Sequence, residues 1–405
     1  MRFVSDGPDL PNELIKQWRD GELIFLVGAG ASVSSRLPMF DGLALAVCEA
    51  LDPTFAKVLK RTQRFSNSRA LRNFLDDSGL QPDKRVEADL FSKNELDRYF
   101  SAFEKRVDPD VKGRKKTRRV RDAVETILRN ALPSQSHKDI VRLSVAAGPL
   151  SEPAHCRVVT TNFDLLLEAA SEVELSEAAI GVDARMAPRP GAHDFRGVVH
   201  LHGKLSVDPD QPSQYILTSR DFSRAYLRSG VIGNYVYDLI RRYRVLLVGY
   251  SASDPPMRYL MDAIGEDTSL FDDMNRPYAV ASAEGDAEID AKSWNAKEIE
   301  PILFERRIGA DAFAPLWESL HEWAEWARRD LDWVKDRLLA ATQSPRASAS
   351  AFHLSFVQDI FSVLDAREVE EVVKFLTVNH VDFGWIESVA AALDATAKSP
   401  GRSAA

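Results

Sequence analysis

Two textures of apolar and polar positions alternate along this chain. Leu23-Ile24-Phe25-Leu26-Val27 is an unbroken apolar run that ends in glycine. That is the pattern of a strand buried on both faces of a parallel sheet. The texture returns at Arg157–Thr161, Val198–His202, Tyr215–Thr218 and Arg244–Gly249, with shorter runs at Tyr278–Ala281 and Ile302–Phe304. Helical spacing lies between several of them, at residues 11–20, 43–51, 164–172 and 229–243. Strands alternating with helices predict an α/β fold on a parallel sheet.

The remaining patterns are helical. Residues 52–133 are polar, with scattered leucines and phenylalanines, and read as a helical insertion in a domain spanning 1–310. Residues 311–341 read as one long amphipathic helix: Leu316, Leu320, Trp323, Ala327, Leu331 and Val334 recur at steps of three or four. Its tryptophans, Trp317, Trp323, Trp326 and Trp333, suit packing on the α/β domain, with an oligomer interface as the second reading. Residues 342–351 read as a linker, 352–396 as a helical C-terminal module, and 397–405 as a disordered tail. A module of that size buries little alone, so it is expected to dock on the main domain or on another subunit.

Composition narrows the function classes. The chain has 405 residues with a net charge of -9, which argues against a nucleic-acid binder overall. The basic stretch from Lys105 to Arg121, with Lys112, Arg114, Lys115, Lys116, Arg118 and Arg119, is read as a solvated helix in preference to a nucleic-acid contact. Two cysteines, Cys48 and Cys156, cannot supply a three- or four-thiolate zinc site. No metal is expected. The first twenty residues do not read as a signal peptide, and no run approaches the roughly 18 apolar residues of a membrane span. A cytoplasmic protein without membrane contact is the expectation.

Four polar turns each follow a buried strand, where open α/β folds bind ligands. Gly28-Ala29-Gly30-Ala31-Ser32 lacks the third glycine of a dinucleotide fingerprint, Val33 standing in its place. Glycines there let backbone amides approach a phosphate, or they serve a turn sterically. Thr160-Thr161-Asn162-Phe163-Asp164 places an amide and a carboxylate at the same crevice; either also suits a helix cap. In His200-Leu201-His202-Gly203 the two histidines would share a strand face, and His202, nearer the carboxyl end, would reach the crevice. A histidine there can act as a base on a ribose hydroxyl, or be a satisfied core residue. Gly249-Tyr250-Ser251-Ala252-Ser253-Asp254 is the fourth turn.

In this order the turns resemble the sirtuin family. Gly28 to Ser32 is similar to its G-A-G-x-S, Pro38-x-Phe40 to the following segment of the cofactor loop, Thr160 to Asp164 to T-Q-N-I-D, His202-Gly203 to its catalytic H-G, and Gly249-x-Ser251 to G-x-S. The resemblance implies a Rossmann-like sheet that binds NAD. It places Gly28, Ala29, Gly30 and Ser32 at the phosphates, with Pro38, Phe40 and Thr161 around the cofactor. It places Asn162 at the nicotinamide ribose, Asp164 at the carboxamide and His202 as the base. Gly249, Ser251 and Asp254 would close around the adenosine.

The chain departs from the deacylases of that family: the four zinc cysteines are missing, Thr161 replaces Gln, and Asp41 replaces Arg. No recognisable peptide-binding strand follows His202. Ile216-Leu217-Thr218-x-x-Asp221-Phe222 and Val248-Gly249-Tyr250-Ser251-x-x-Asp254 look like a bacterial branch that hydrolyses NAD in anti-phage defence (abortive infection). The resemblance therefore implies an NADase with catalytic His202 and Asn162, acting as a homo-oligomer or beside a partner ATPase or sensor. An NAD-dependent deacylase and a non-catalytic NAD or ADP-ribose sensor are the alternatives.

Overall fold

The five residues Leu23–Val27 form β1, the central strand, and all five are buried. Leu23, Phe25 and Val27 enter one core while Ile24 and Leu26 enter the other, as the two-residue period of a strand requires. The computed structural model describes residues 1–65, 68–109, 117–145, 155–192, 195–208, 211–252, 254–270, 276–309 and 311–387. The other strands are β2 (Arg157–Thr160), β3 (Gly181–Asp183), β4 (Gly197–His200), β5 (Gly203–Lys204), β6 (Gln214–Tyr215), β7 (Arg244–Val248), β8 (Tyr278–Ala283) and β9 (Glu300–Glu305).

Seven of these make a parallel sheet in the order β3-β4-β2-β1-β7-β8-β9. Phe25 pairs with Val158 on one side and Leu246 on the other. From β1 the chain builds outward through β2 and β4, then returns to β1's other edge with β7. The ends of β1, β2 and β7 therefore meet at the switch point of a Rossmann-like sheet, where a crevice forms.

Helices cover both faces. The helical insertion adds a third core, in which Phe55, Leu59, Tyr99, Phe100 and Phe103 pack with Phe163, Leu205 and Tyr215. The last three follow or lie in β2, β5 and β6, so the insertion sits against the crevice. Burying each such side chain contributes roughly 1.5–3 kcal/mol.

Several expectations need correction. β4 stops at His200, and His202 lies in the turn beyond it; the two histidines do not share a strand face. The Tyr215–Thr218 run does not join the parallel sheet; only Tyr215 lies in a strand, β6. β6 pairs antiparallel with β5 alone, because Thr218 and Asp221 form a capping box that starts a helix. The long helix of 311–341 is two helices, Ala314–Arg329 and Leu331–Ala341, broken at Asp330 with φ 48° and ψ -128°. The break lets Trp326 and Trp333 stack at 5.6 Å.

The expected linker contains a short turn, Arg346–Ser348, and does not separate two bodies. Helices Ala351–Val363 and Ala366–Val378 share a core with Trp323 and Trp333. Asn12 also bonds Asp359 at 2.8 Å, and Arg19 donates to Val363 O at 2.6 Å. The expected tail, 397–405, lies outside the described residues. Among the described residues, no helix is long and apolar enough to cross a membrane.

Candidate active site

The β1 and β7 turns touch through glycine. The Gly28 amide donates to Val248 O at 3.0 Å and the Gly30 amide to Gly249 O at 2.9 Å. A Cβ on Gly28 would lie 2.5 Å from Gly249 O, and one on Gly249, where φ is +64°, would lie 2.6 Å from Ala31 N. The glycines thus serve close backbone approach. This corrects the expectation that Gly28 and Gly30 offer amides to phosphate: those amides are already engaged. The chain then enters a 3-10 helix, Ala29–Ser35. Its first amide, Ala29 N–H, has no acceptor within the helix.

Ser32 is also not the free donor the sequence suggests. Its hydroxyl donates to Asp164 Oδ2 at 3.1 Å and accepts from Asn162 Nδ2 at 3.2 Å. His137 Nε2 lies 3.2 Å from the same oxygen. The Ser134 backbone amide donates to His137 Nδ1 at 3.3 Å, so Nε2 carries the ring proton and donates to Ser32. Burial depresses the His137 pKa to about 4, which keeps the ring neutral in this role.

Asn162 also donates to Gly28 O at 3.2 Å. That carbonyl fixes which amide atom is nitrogen. Both N–H groups are then used, and Asn162 Oδ1 has no protein partner among the described residues. Asp164 Oδ1 accepts the Leu166 amide at 3.1 Å. Burial raises its carboxyl pKa, and the bonds from Leu166 and Ser32 work the other way. His200 is the core histidine: Nδ1 lies 2.9 Å from Asn162 O and Nε2 2.9 Å from Glu168 Oε1. Burial opposes its charge, but Glu168 prevails and its pKa is raised.

The opposite wall holds His202, 6% exposed. Its Nε2 lies 2.8 Å from Tyr226 Oη, and its edge meets Phe222 with centroids 5.1 Å apart at 78°. Burial lowers its pKa to about 4, so the ring is neutral. Nδ1 has no protein partner among the described residues. Beside it, Tyr250 Oη lies 2.6 and 2.8 Å from the two oxygens of Asp254. Burial raises Asp254 to about 6. Lys297 donates to Ser251 O at 3.0 Å.

These walls enclose a cavity of about 190 Å³. Of the residues the sequence singles out, Ala29, Ser32, Pro38, Phe40 and Thr161 line it, as do Asn162, Asp164 and His202. Gly249, Ser251 and Asp254 complete that set, while Gly28 and Gly30 lie behind the wall. Sequence reasoning missed His137 and Tyr226, and it missed the apolar contributions of Leu43, Leu128 and Phe222. Two signals were available: the Ser134-x-x-His137 capping box, and Phe222 with Tyr226 four residues apart.

The basic stretch is partly internal. Arg106 pairs with Glu87 and Asp52, and Arg121 with Glu104 and Asp221. Lys112, Arg114, Lys115 and Lys116 lie outside the described residues.

Residues 157–302 match the family model of the SIR2-like domain. The chain is 30% identical over 404 residues to the uncharacterized protein y4cA of Sinorhizobium fredii (strain NBRC 101917 / NGR234). That alignment covers 98% of this chain and 30% of the relative, so the chain spans under a third of that protein's length. Among solved structures, a Sir2 homolog–NAD complex is 15% identical, with 80% of this chain and 96% of that chain covered and a TM-score of 0.34. A mutant Sir2 homologue with ADP-ribose is 15% identical, with coverage of 80% and 98% and a TM-score of 0.34. The family match runs from β2 into β9 and takes in three of the four turns at the cleft: over these residues the chain carries a SIR2-like domain.

Proposed function

We propose that this chain is an NAD glycohydrolase, converting NAD and water to ADP-ribose and nicotinamide. One observation carries the reading. At the switch-point cleft, among the described residues, Asn162 Oδ1 and His202 Nδ1 face each other's wall without protein partners while the rest of each side chain is held. Cleavage of a nicotinamide–ribose bond builds positive charge on the ribose. It therefore needs oriented polar groups in a water-poor pocket more than a strong nucleophile. Asn162 Oδ1 would orient the attacking water or a ribose hydroxyl. His202 would engage a ribose hydroxyl, and Asp164 would border the carboxamide. The phosphates would meet Ala29, with Pro38, Phe40 and Thr161 enclosing the nucleotide. Gly249, Ser251 and Asp254 would border the adenosine end.

Hydrolysis is preferred to deacylation on two grounds. An extended peptide substrate pairs with a free strand edge. Here the backbone of the β5–β6 hairpin is occupied: Arg118 donates to Ser213 O at 3.0 Å and Arg121 to Tyr215 O at 2.9 Å. Leu128 of the same helix lines the cleft. Cys48 and Cys156 lie in different cores, and burial pushes both thiols up to about 12. They are poor metal ligands.

The physiological role we propose is anti-phage defence by NAD depletion, in the cytoplasm, with homo-oligomerisation or a partner ATPase or sensor as the gate. An ungated NADase would poison its own cell. High constitutive turnover by the isolated chain would contradict the gate. The deciding experiment is NAD consumption by the purified protein beside His202→Ala, with nicotinamide and ADP-ribose resolved. Turnover that vanishes in the variant supports the reading. Nucleotide binding without turnover, in every assembly state tested, overturns it in favour of a sensor.

A further inference from the structure

The Ile216–Phe222 segment plays no part in the reading above beyond its resemblance, yet it leads directly to the catalytic candidate. Thr218 and Asp221 cap the short helix Ser219–Phe222, and Arg121 holds Asp221 at 2.6 Å. The helix then widens into a π-helical turn over Ser223–Arg228. Phe222 and Tyr226 consequently stack, with centroids 6.1 Å apart at 23°, and both rings meet His202. Such π turns recur where a helix must aim a side chain at a site.

We infer that Tyr226 is a positioning residue that fixes His202 in the tautomer with its proton on Nδ1, so that His202 meets its ligand as a hydrogen-bond donor and not as a base. The argument follows the protons. Tyr226 Oη has a single partner among the described residues, His202 Nε2 at 2.8 Å. A phenol buried to 8% exposure needs an acceptor for its proton. Asp254, the carboxylate whose field reaches Tyr226, is bonded by Tyr250 instead. His202 Nε2 is therefore the acceptor, and in a neutral imidazole the proton must then sit on Nδ1. Burial supports this by keeping Tyr226 protonated and His202 neutral.

The consequence concerns the ligand and rests on the proposed function. A ribose hydroxyl facing Nδ1–H is held through its oxygen and keeps its own proton. That geometry suits water attack on an oxocarbenium-like centre. It does not suit deprotonation of the ribose hydroxyl, so His202 orients the sugar without activating it.

The test uses the full chain with ¹⁵N-labelled histidine. Nitrogen chemical shifts distinguish protonated from acceptor ring nitrogens, and His202→Ala identifies the His202 signals among the eight histidines. In the wild type, Nδ1 should read as protonated and Nε2 as an acceptor. In Tyr226→Phe, which keeps the ring and removes only the hydroxyl, the signals should move to the other tautomer or to an exchange average. With NAD, kcat should fall at least tenfold while KM stays within threefold. A wild-type signature of Nε2–H overturns the inference, as does a Tyr226→Phe protein whose His202 signals are unchanged. Absence of NAD turnover in a wild type with the expected tautomer would instead count against the hydrolase reading and leave this one standing.

Discussion

On the β1–β2 side of the cleft, Ser32 donates to Asp164 and accepts from Asn162 and His137, and His200 braces the Asn162 carbonyl. On the β4–β7 side, His202 has one partner, Tyr226, and Asp254 is held by Tyr250. The first wall is a network that ties four chain segments together and, among the described residues, leaves Asn162 Oδ1 open on the cleft side. The second is held by phenols, each making few bonds inside an apolar surround. The difference teaches how a cleft divides its tasks. A closed network gives fixed geometry, because no member can turn without leaving a buried group unpaired. A sparsely bonded histidine keeps a free ring nitrogen for the ligand.

The largest expected effect lies at the two open atoms. His202→Ala and Asn162→Ala should each lower NAD turnover at least ~100-fold, the scale seen when one preorganised donor or acceptor is removed. If both act on one transition state, the double variant should lose little beyond the worse single one. Nicotinamide release measured across the cycle checks this. A fully additive loss would mean that the two walls act independently.

The titrating groups in both walls should answer acid with opposite signs. His137 and His202 fold with pKa values of about 4, below the roughly 6.5 of an unfolded chain. Unfolding then takes up protons, so stability present above pH 6.5 is lost as pH falls toward 4, by about 3 kcal/mol for each histidine. Asp254 has the opposite sign. Its pKa is about 6 when folded, so it binds a proton before the unfolded chain does. It contributes stability below pH 4 that disappears as pH rises through 6, again about 3 kcal/mol. Each wall therefore offsets its own histidine in part, because Asp164 and His200 of the first wall also have raised pKa values and contribute in the same sense as Asp254. Chemical unfolding between pH 4 and pH 7 should show His137→Gln flattening the acid loss and Asp254→Asn steepening it. Equal slopes in both variants would erase the distinction.

Gly249 joins the walls. In Gly249→Ala, the new Cβ meets Ala31 N at 2.6 Å in a left-handed backbone conformation. The strain and the overlap together should cost about 2 kcal/mol. Thermal unfolding would register the loss. NAD turnover should fall with it, because the β1 and β7 turns must separate.

Much of this was legible in the chain. β1, β2 and β7 announce themselves because strands buried on both faces leave no polar alternation to misread. The four turns are visible because each begins where such a run ends. What stayed hidden depends on distance. His137 matters only because it reaches Ser32, 105 residues away, and no local pattern encodes that. The glycines carried two readings, phosphate approach and steric approach, which require the same residue. The end of β4 at His200 was missed because apolar texture continues through Leu201 after pairing stops. Tyr226 was missed because its aim depends on a π turn, and helical periodicity assumes regular turns.

Asp330 is the same kind of omission, one residue wide, and it supplies a control for the comparison. Apolar spacing runs on through it, yet φ 48° and ψ -128° place it in a region that suits glycine. No side-chain hydrogen bond rewards the conformation among the described residues. Asp330→Gly removes strain on the order of 1–3 kcal/mol and adds back roughly 1 kcal/mol of unfolded-state entropy. The expected net gain is about 1 kcal/mol, a rise in Tm of about 1–2 °C for a chain of this size. The break lies in the Trp326–Trp333 core and touches neither wall. NAD turnover should therefore stay within about twofold of wild type on the usual scale for remote sites. A stabilised variant with altered turnover would show that the C-terminal helices communicate with the cleft, and the contrast between the walls would then have to include that core.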